Sequence, residues 1–244
     1  MKTKAVIIAL VLLVFTGLIY WRKIWKNKFY FSGTIEATRI DLPARVPTIV
    51  RTIFVEEGQD VHVGQEMAVL ACEELALVNR LANENYERAL KLQKNGAISR
   101  EVFDNLLNRK MDADTKLSWC SIKSPVNGTV LNRYLEPQEW VNPGTKLLTV
   151  ANLDSLWTMF YVPQEVMSRL SLNQKVYGII PELEAKTIEG RVSKINQEAE
   201  FTPKNVQTRQ ERTRLVFGIK VLFHNPDRVL KPGMTIESDL MESM

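Results

Sequence analysis

A self-similarity at a constant offset of 80 residues constrains this chain more than any other feature. Residues 44–70 slide over residues 124–150 without a gap: Val46 falls on Val126, Val50 on Val130, Phe54 on Tyr134, Glu56 on Glu136, Val61 on Val141, Gly64 on Gly144 and Leu70 on Val150. Each copy reads as short strands rich in β-branched residues, at 49–55, Asp60-Val61 and 67–70, punctuated by turns at Glu57-Gly58 and Gly64. A single meander of this kind leaves an apolar face uncovered, whereas two copies can bury their faces against each other. The repeat therefore predicts one β domain made of two halves that meet in space despite the sequence between them. Gly58, Gly64, Gly128 and Gly144 are expected to be its structural turns.

The sequence between the halves has a different character. Over residues 73–117 the β-branched content falls, Leu, Ala, Glu, Lys and Asn take over, and proline is absent. Leu75, Val78, Ala82, Asn85, Ala89 and Leu92 alternate steps of three and four, the spacing of a heptad seam. Asn95-Gly96 stops that pattern, with Gly96 as the turn residue, and Ser99 is placed to cap a second helix in which Phe103, Leu106, Lys110, Ala113 and Leu117 repeat the spacing. The two stripes predict an antiparallel coiled-coil hairpin about 30 Å long, at 1.5 Å per residue. A pair of helices lying flat on the sheet as a lid would share the periodicity. Charges on the outer faces, among them Glu84, Glu87, Arg88, Lys91, Arg100 and Arg109, favour projection into solvent.

At the N-terminus, Lys2 and Lys4 precede an uncharged run from residue 5 to 21, closed by Arg22 and Lys23 and flanked by Tyr20, Trp21 and Trp25. The aromatic flank and the lack of a small-x-small cleavage site favour an uncleaved transmembrane anchor over a signal peptide. The basic residues after the run outnumber those before it, so orientation is set by the architecture downstream rather than by charge. Cys72 and Cys120 are the only cysteines. They are a possible disulfide if the chain lies outside the cytoplasm, and two separate buried thiols otherwise.

From residue 156 onward strands return, at 157–162, 175–180, 187–195, 215–222 and 235–240, with turns read at Gly178, Gly190, Asn225-Pro226 and Pro232-Gly233. Short punctuated strands of this sort suit a small β-barrel that closes its own edges. The irregular stretch 201–214 carries Lys204, Arg209, Arg212 and Arg214, candidates for contact with a membrane-embedded partner protein or with lipid headgroups, or simply for a solvated loop.

Catalysis finds little support. His62 and His224 are the only histidines, and no metal-ligand cluster, nucleophile elbow or phosphate-binding loop is present, so no catalytic residue, metal or cofactor is expected. A formal net charge of +4, spread among acidic residues, argues against nucleic acid as a partner.

Taken in order, these features resemble the membrane fusion proteins, or periplasmic adaptors, of the haemolysin-secretion type. The stretch Ser124-Pro125-Val126-Asn127-Gly128-Thr129-Val130 is similar to the start of the family's second biotinyl/lipoyl-like half-motif. Val141-Asn142-Pro143-Gly144 follows, and residues 150–157 resemble the passage into the family's β-barrel. Residues 199–208 and 211–217 resemble the branch that serves ABC-type exporters. The resemblance implies a mainly β fold with an α-helical hairpin. Its parts are a membrane anchor (1–28), a split lipoyl-like domain (29–72 and 118–152), a helical hairpin (73–117) and a β-barrel domain (153–244) with a short helix at 164–170. It also implies an inner-membrane, single-pass protein, mostly periplasmic, that forms a homo-oligomer, with six copies suggested. Such an oligomer would link an inner-membrane transporter to a TolC-like outer-membrane channel. Arg88, Leu92 and Ser99 match the spacing of the family's channel-docking motif at the hairpin tip. The hairpin is short for the family, and the extra membrane-proximal domain of some members is expected to be missing or rudimentary. Two other functions fit the half-motifs: a lipoyl- or biotinyl-type carrier, although the break Ala71-Cys72-Glu73-Glu74 holds no lysine, and an envelope scaffold without a transporter.

Overall fold

The computed structural model describes residues 30–183, 186–201 and 215–240, so the expected anchor at 1–28 lies outside the described residues. Among the described residues, no helix is long and apolar enough to cross a membrane. The chain divides into two compact units, one formed by residues 37–154 and the other by residues up to Glu36 together with those from Ser155 onward.

In the first unit, the opening half of the repeat supplies β2 (Arg39–Pro43), β3 (Thr48–Ile53), β4 (Asp60–Val61) and β5 (Glu66–Leu70). The second half supplies β6 (Ser121–Lys123), β7 (Gly128–Arg133), β8 (Trp140–Val141) and β9 (Lys146–Ala151). They form two four-stranded sheets, ordered β2-β9-β7-β4 and β6-β5-β3-β8, and each sheet draws strands from both halves. Pairing is reciprocal: β4 of the first half adds to β7, and β8 of the second adds to β3. Burial follows the repeat, with Val50 and Val130, Val61 and Val141, and Leu70 and Val150 all in the core, while Phe54 and Tyr134 are both about half exposed.

The turns repeat as well. Gly64 N–H donates to Ser124 O at 2.8 Å and Gly144 N–H to Ala44 O at 2.9 Å, while Gly58 N–H donates to Val130 O and Gln138 N–H to Val50 O, both at 2.8 Å. Gly58, Gly64 and Gly144 have φ of +83°, +80° and +93°, a left-handed backbone that costs a residue with a Cβ about 1–2 kcal/mol. Gln138, which stands where the first half has Gly58, holds φ +78° without that freedom. Gly128 is not one of these turns. It opens β7, where an added Cβ would lie 2.4 Å from Ala151 O, so its small size serves a close approach of backbones.

Two helices leave this unit between β5 and β6: α1 (Glu73–Lys94) and α2 (Arg100–Ser118). Their 22 and 19 residues correspond to about 33 and 28 Å at 1.5 Å per residue.

The second unit is a six-stranded closed barrel. It comprises β1 (Phe31–Glu36), β10 (Ser155–Val162), β11 (Lys175–Ile180), β12 (Lys186–Ile195), β14 (Leu215–His224) and β15 (Thr235–Ser238), with β13 (Glu200–Phe201) added beside β14. A single-turn helix, α3 (Gln164–Met167), follows β10. Two expectations are corrected here. Residues 31–36 belong to the barrel rather than to the lipoyl-like domain, because β1 pairs with β10 and β15. Gly178 and Gly190 lie inside β11 and β12 rather than at turns. A Cβ on either would come within 2.8 Å of the Phe223 ring, so both make room for that buried side chain.

Gly144→Ala is expected to lower the unfolding free energy by about 1–2 kcal/mol, and Gln138→Gly to raise it by about 0.5 kcal/mol, as read from urea midpoints. A destabilised Gln138→Gly protein would contradict the strain assigned to that turn.

Candidate docking site at the hairpin tip

The two helices run antiparallel, with Asn79 facing Asp114 and Tyr86 facing Phe103. The row of α1 that turns toward its partner is Leu75, Asn79, Ala82, Tyr86 and Ala89, of which only Ala89 is fully buried. This differs from the expected seam. Val78 and Leu92 stand on the outside, 56% and 45% exposed, and Asn79 and Tyr86 take the inward places. On α2 the expected residues Phe103, Leu106, Lys110, Ala113 and Leu117 are all at least partly buried.

The reason for the shift is a polar cluster that periodicity alone does not reveal. Asp114 accepts a hydrogen bond from Lys110 Nζ at 2.6 Å, from Asn79 Nδ2 at 2.6 Å and from Asn83 Nδ2 at 3.3 Å. Lys110 Nζ also lies 5.8 Å from the centre of the Tyr86 ring, whose centroid is 5.7 Å from that of Phe103. The polar atoms of Asn79 and Asn83 are thus satisfied inside the helix pair, which makes an inward Asn tolerable. The bond from Lys110, followed by those from Asn79 and Asn83, holds the Asp114 carboxyl below the usual carboxylate range. The same ion pair raises Lys110. The one visible hint in the sequence is the spacing of Lys110 and Asp114, four residues apart on one helix.

At the far end, α1 stops at Asn95 and Gly96, the latter at φ +69°, and Ala97 N–H turns back to Leu92 O at 2.9 Å. Ser99 then starts α2, its Oγ accepting from Val102 N–H at 3.3 Å. Arg88 is exposed in a shallow groove with Arg80, Asn83, Glu84, Glu87 and Lys91, and its Nη2 donates to Asn85 Oδ1 at 2.6 Å. Arg88 and Leu92, one turn apart, therefore present a cation and an apolar side chain to solvent, while the Ser99 hydroxyl is engaged in its own helix.

At the near end, Cys72 and Cys120 are joined as a disulfide with Cα atoms 6.2 Å apart. The break in the lipoyl-like fold, where a carrier would bear its modified lysine, is occupied by this junction. Lys204, Arg209, Arg212 and Arg214 lie outside the described residues. Among the described residues, no group of three or more His, Cys, Asp or Glu side chains is placed to hold a metal ion.

Comparison with known proteins agrees with this architecture. Residues 39–152 match the CzcB-like barrel-sandwich hybrid domain, and residues 155–244 match the CusB-like beta-barrel domain. A UPF0194 membrane protein from the asrC 5' region of Acidithiobacillus ferridurans is 35% identical over 130 residues, covering 53% of this chain and 37% of that protein. The chain thus spans little more than a third of the curated relative it matches. Among solved structures, a MacA–MexA chimera containing the Pseudomonas aeruginosa MexA α-hairpin domain superposes with a TM-score of 0.66 at 19% identity, over 86% of this chain and 80% of the other. The membrane fusion protein Spr0693 of Streptococcus pneumoniae R6 gives 0.64 at 18% identity, over 86% and 97%. At these identities the likeness is one of fold.

Because Asp114 is held ionised by its partners, its contribution to hairpin stability is present above the unfolded carboxylate value near 4 and is lost as pH falls through its lower folded value. The helical circular dichroism signal should become less resistant to heat below about pH 4, and Asp114→Ala should remove part of that acid sensitivity. Identical acid profiles for the two proteins would show that the cluster does not stabilise the hairpin.

Proposed function

This chain belongs to the membrane fusion, or periplasmic adaptor, family, and on that premise we propose that it is a non-catalytic connector of a tripartite export system. It would tie an inner-membrane transporter, of ABC type by the resemblance of residues 199–217, to a TolC-like outer-membrane channel. The observation that carries this reading is the hairpin itself. Two helices stand out from the β domain and end in an exposed Arg88 and Leu92 one turn apart. A guanidinium can donate to carbonyls or carboxylates at the end of a partner helix, and an adjacent leucine can fill an apolar groove, a pairing suited to docking helix ends. The apolar run at 5–21 would anchor the chain in the inner membrane, leaving the bulk periplasmic. Lys204, Arg209, Arg212 and Arg214 would meet the transporter or the headgroups around it.

Side-by-side assembly has its own support. The outward face of α1 carries Leu77, Val78 and Leu81, each 56% exposed. Their spacing continues along the same face to Asn85, Arg88 and Leu92. An unburied apolar row on a solvent-facing helix costs solubility unless a partner covers it, and a neighbouring copy's hairpin is the proposed cover.

Arg88→Asp and Leu92→Asp are expected to abolish export in cells while leaving membrane insertion and the thermal midpoint unchanged; full export by both variants would refute the docking role. Val78→Glu with Leu81→Glu should shift the purified protein toward the monomer in sedimentation, without loss of helical signal. An unchanged oligomer would remove this row from the interface.

A further inference from the structure

We propose that Cys72 and Cys120 form a thiol–disulfide exchange site, entered at the Cys72 sulfur, whose oxidised form locks the feet of the hairpin. Cys72 immediately precedes α1 and Cys120 lies two residues past the end of α2. The bond closes the whole hairpin, 48 residues along the chain, into a loop at the point where β5 and β6 hand over to helices.

Leu75, Leu117 and Trp119 pack both feet against the β core, but the polar side-chain ties at this junction are weak or one-sided. α1 starts at Cys72 with no side-chain cap, unlike α2. The Thr48 hydroxyl donates to Ala71 O, and Arg51 pairs with Glu73 across a largely exposed surface. Surface pairs of that kind contribute little. Both act on the α1 foot alone, whereas the Leu70 N–H bond to Cys120 O at 2.8 Å and the disulfide join one foot to the other, the disulfide covalently.

Access is unequal. Cys120 is 7% exposed, whereas Cys72 lines an open cleft with Val46, Pro47, Ile49, Glu74 and Trp140. In oxidation, the Cys72 thiolate attacks the disulfide of an oxidised dithiol carrier, forming a mixed disulfide and expelling one carrier thiolate. The Cys120 thiolate then attacks the Cys72 sulfur, forming the Cys72–Cys120 bond and releasing the second carrier thiolate. The two cysteines lose two electrons and two protons, and the carrier leaves as a dithiol. Reduction runs the same steps backward, with the incoming thiolate attacking Cys72 and Cys120 departing.

The test uses the full chain purified in detergent. Alkylation under denaturing conditions should find no free thiol in protein taken from the cell envelope. Dithiothreitol should then speed hydrogen exchange at residues 73–76 and 116–120 at least about tenfold while residues 215–224 stay unchanged. Free thiols in the isolated protein, or equal exchange at the feet in both redox states, would overturn the lock. For the point of entry, Cys120→Ser should form a mixed disulfide with oxidised glutathione at least about ten times faster than Cys72→Ser. Equal rates would overturn the assignment of Cys72. The exchange experiment on the reduced wild-type protein stands even if either variant folds poorly, and neither measurement depends on what the hairpin tip binds.

Discussion

The fold depends on an exchange: each half of the repeat completes the other's sheet. β4 of the first half lies on β7 and β8 of the second lies on β3, and equivalent backbone hydrogen bonds recur across the two halves within 0.1 Å at the glycine turns. Neither half has a closed ladder by itself, so the core around Val50, Met67, Leu70, Val130, Leu147 and Val150 forms only when both are present. This makes the halves insensitive to what is inserted between them, provided that the insertion leaves and returns at neighbouring points. Loop-closure entropy rises slowly with length, so a long insertion costs little more than a short one.

The exit and return points are fixed by β5 and β6, which pair antiparallel with Val69 opposite Ser121. Paired strands lie about 4.8 Å apart, whereas packed helices lie about 8–10 Å apart, so the chain must widen as it passes from sheet to hairpin. The 6.2 Å between the Cα atoms of Cys72 and Cys120 is an intermediate step in that widening. Leu75, Leu117 and Trp119 pack against the β core just above it, which roots the hairpin in the sandwich. The direction of the helices is therefore inherited from the ladder beneath them.

Much of this was legible because the repeat is written in residues whose burial and turn chemistry are local. Val50, Val130, Val61 and Val141 point inward by strand alternation, and Gly64 and Gly144 mark turns by their backbone freedom. What escaped sequence reading depended on partners far along the chain. Phe31–Glu36 pairs with strands more than a hundred residues away, so nothing near it announced a barrel strand. Gly178 and Gly190 looked like turns until Phe223 supplied the reason for their size. In the hairpin, hydropathy favours Val78 over Asn79 for the inward place, because an apolar residue outranks an amide unless the amide has a partner, and that partner, Asp114, sits on the other helix. The tip was legible only as spacing. Its exposure, and the use of the Ser99 hydroxyl within its own helix, needed coordinates.

The shifted seam has a geometric consequence. The inward row of α1, at 75, 79, 82, 86 and 89, and the outward row, at 78, 81, 85 and 88, are displaced by one residue, which is about 100° around a helix of 3.6 residues per turn. One neighbouring helix covers one row, since a seam between two helices is only two residues of seven wide. A helix with two such rows is matched to two neighbours at that angle. α2 serves the first. The apolar members of the second row, Val78 and Leu81, are covered by no described residue of this chain, since each is 56% exposed. A helix from another copy is the cover to which that row is matched. The inward place of Asn79 and the proposed assembly of hairpins thus have the same origin: α1 carries an apolar pair, Val78 and Leu81, beside the row that meets α2.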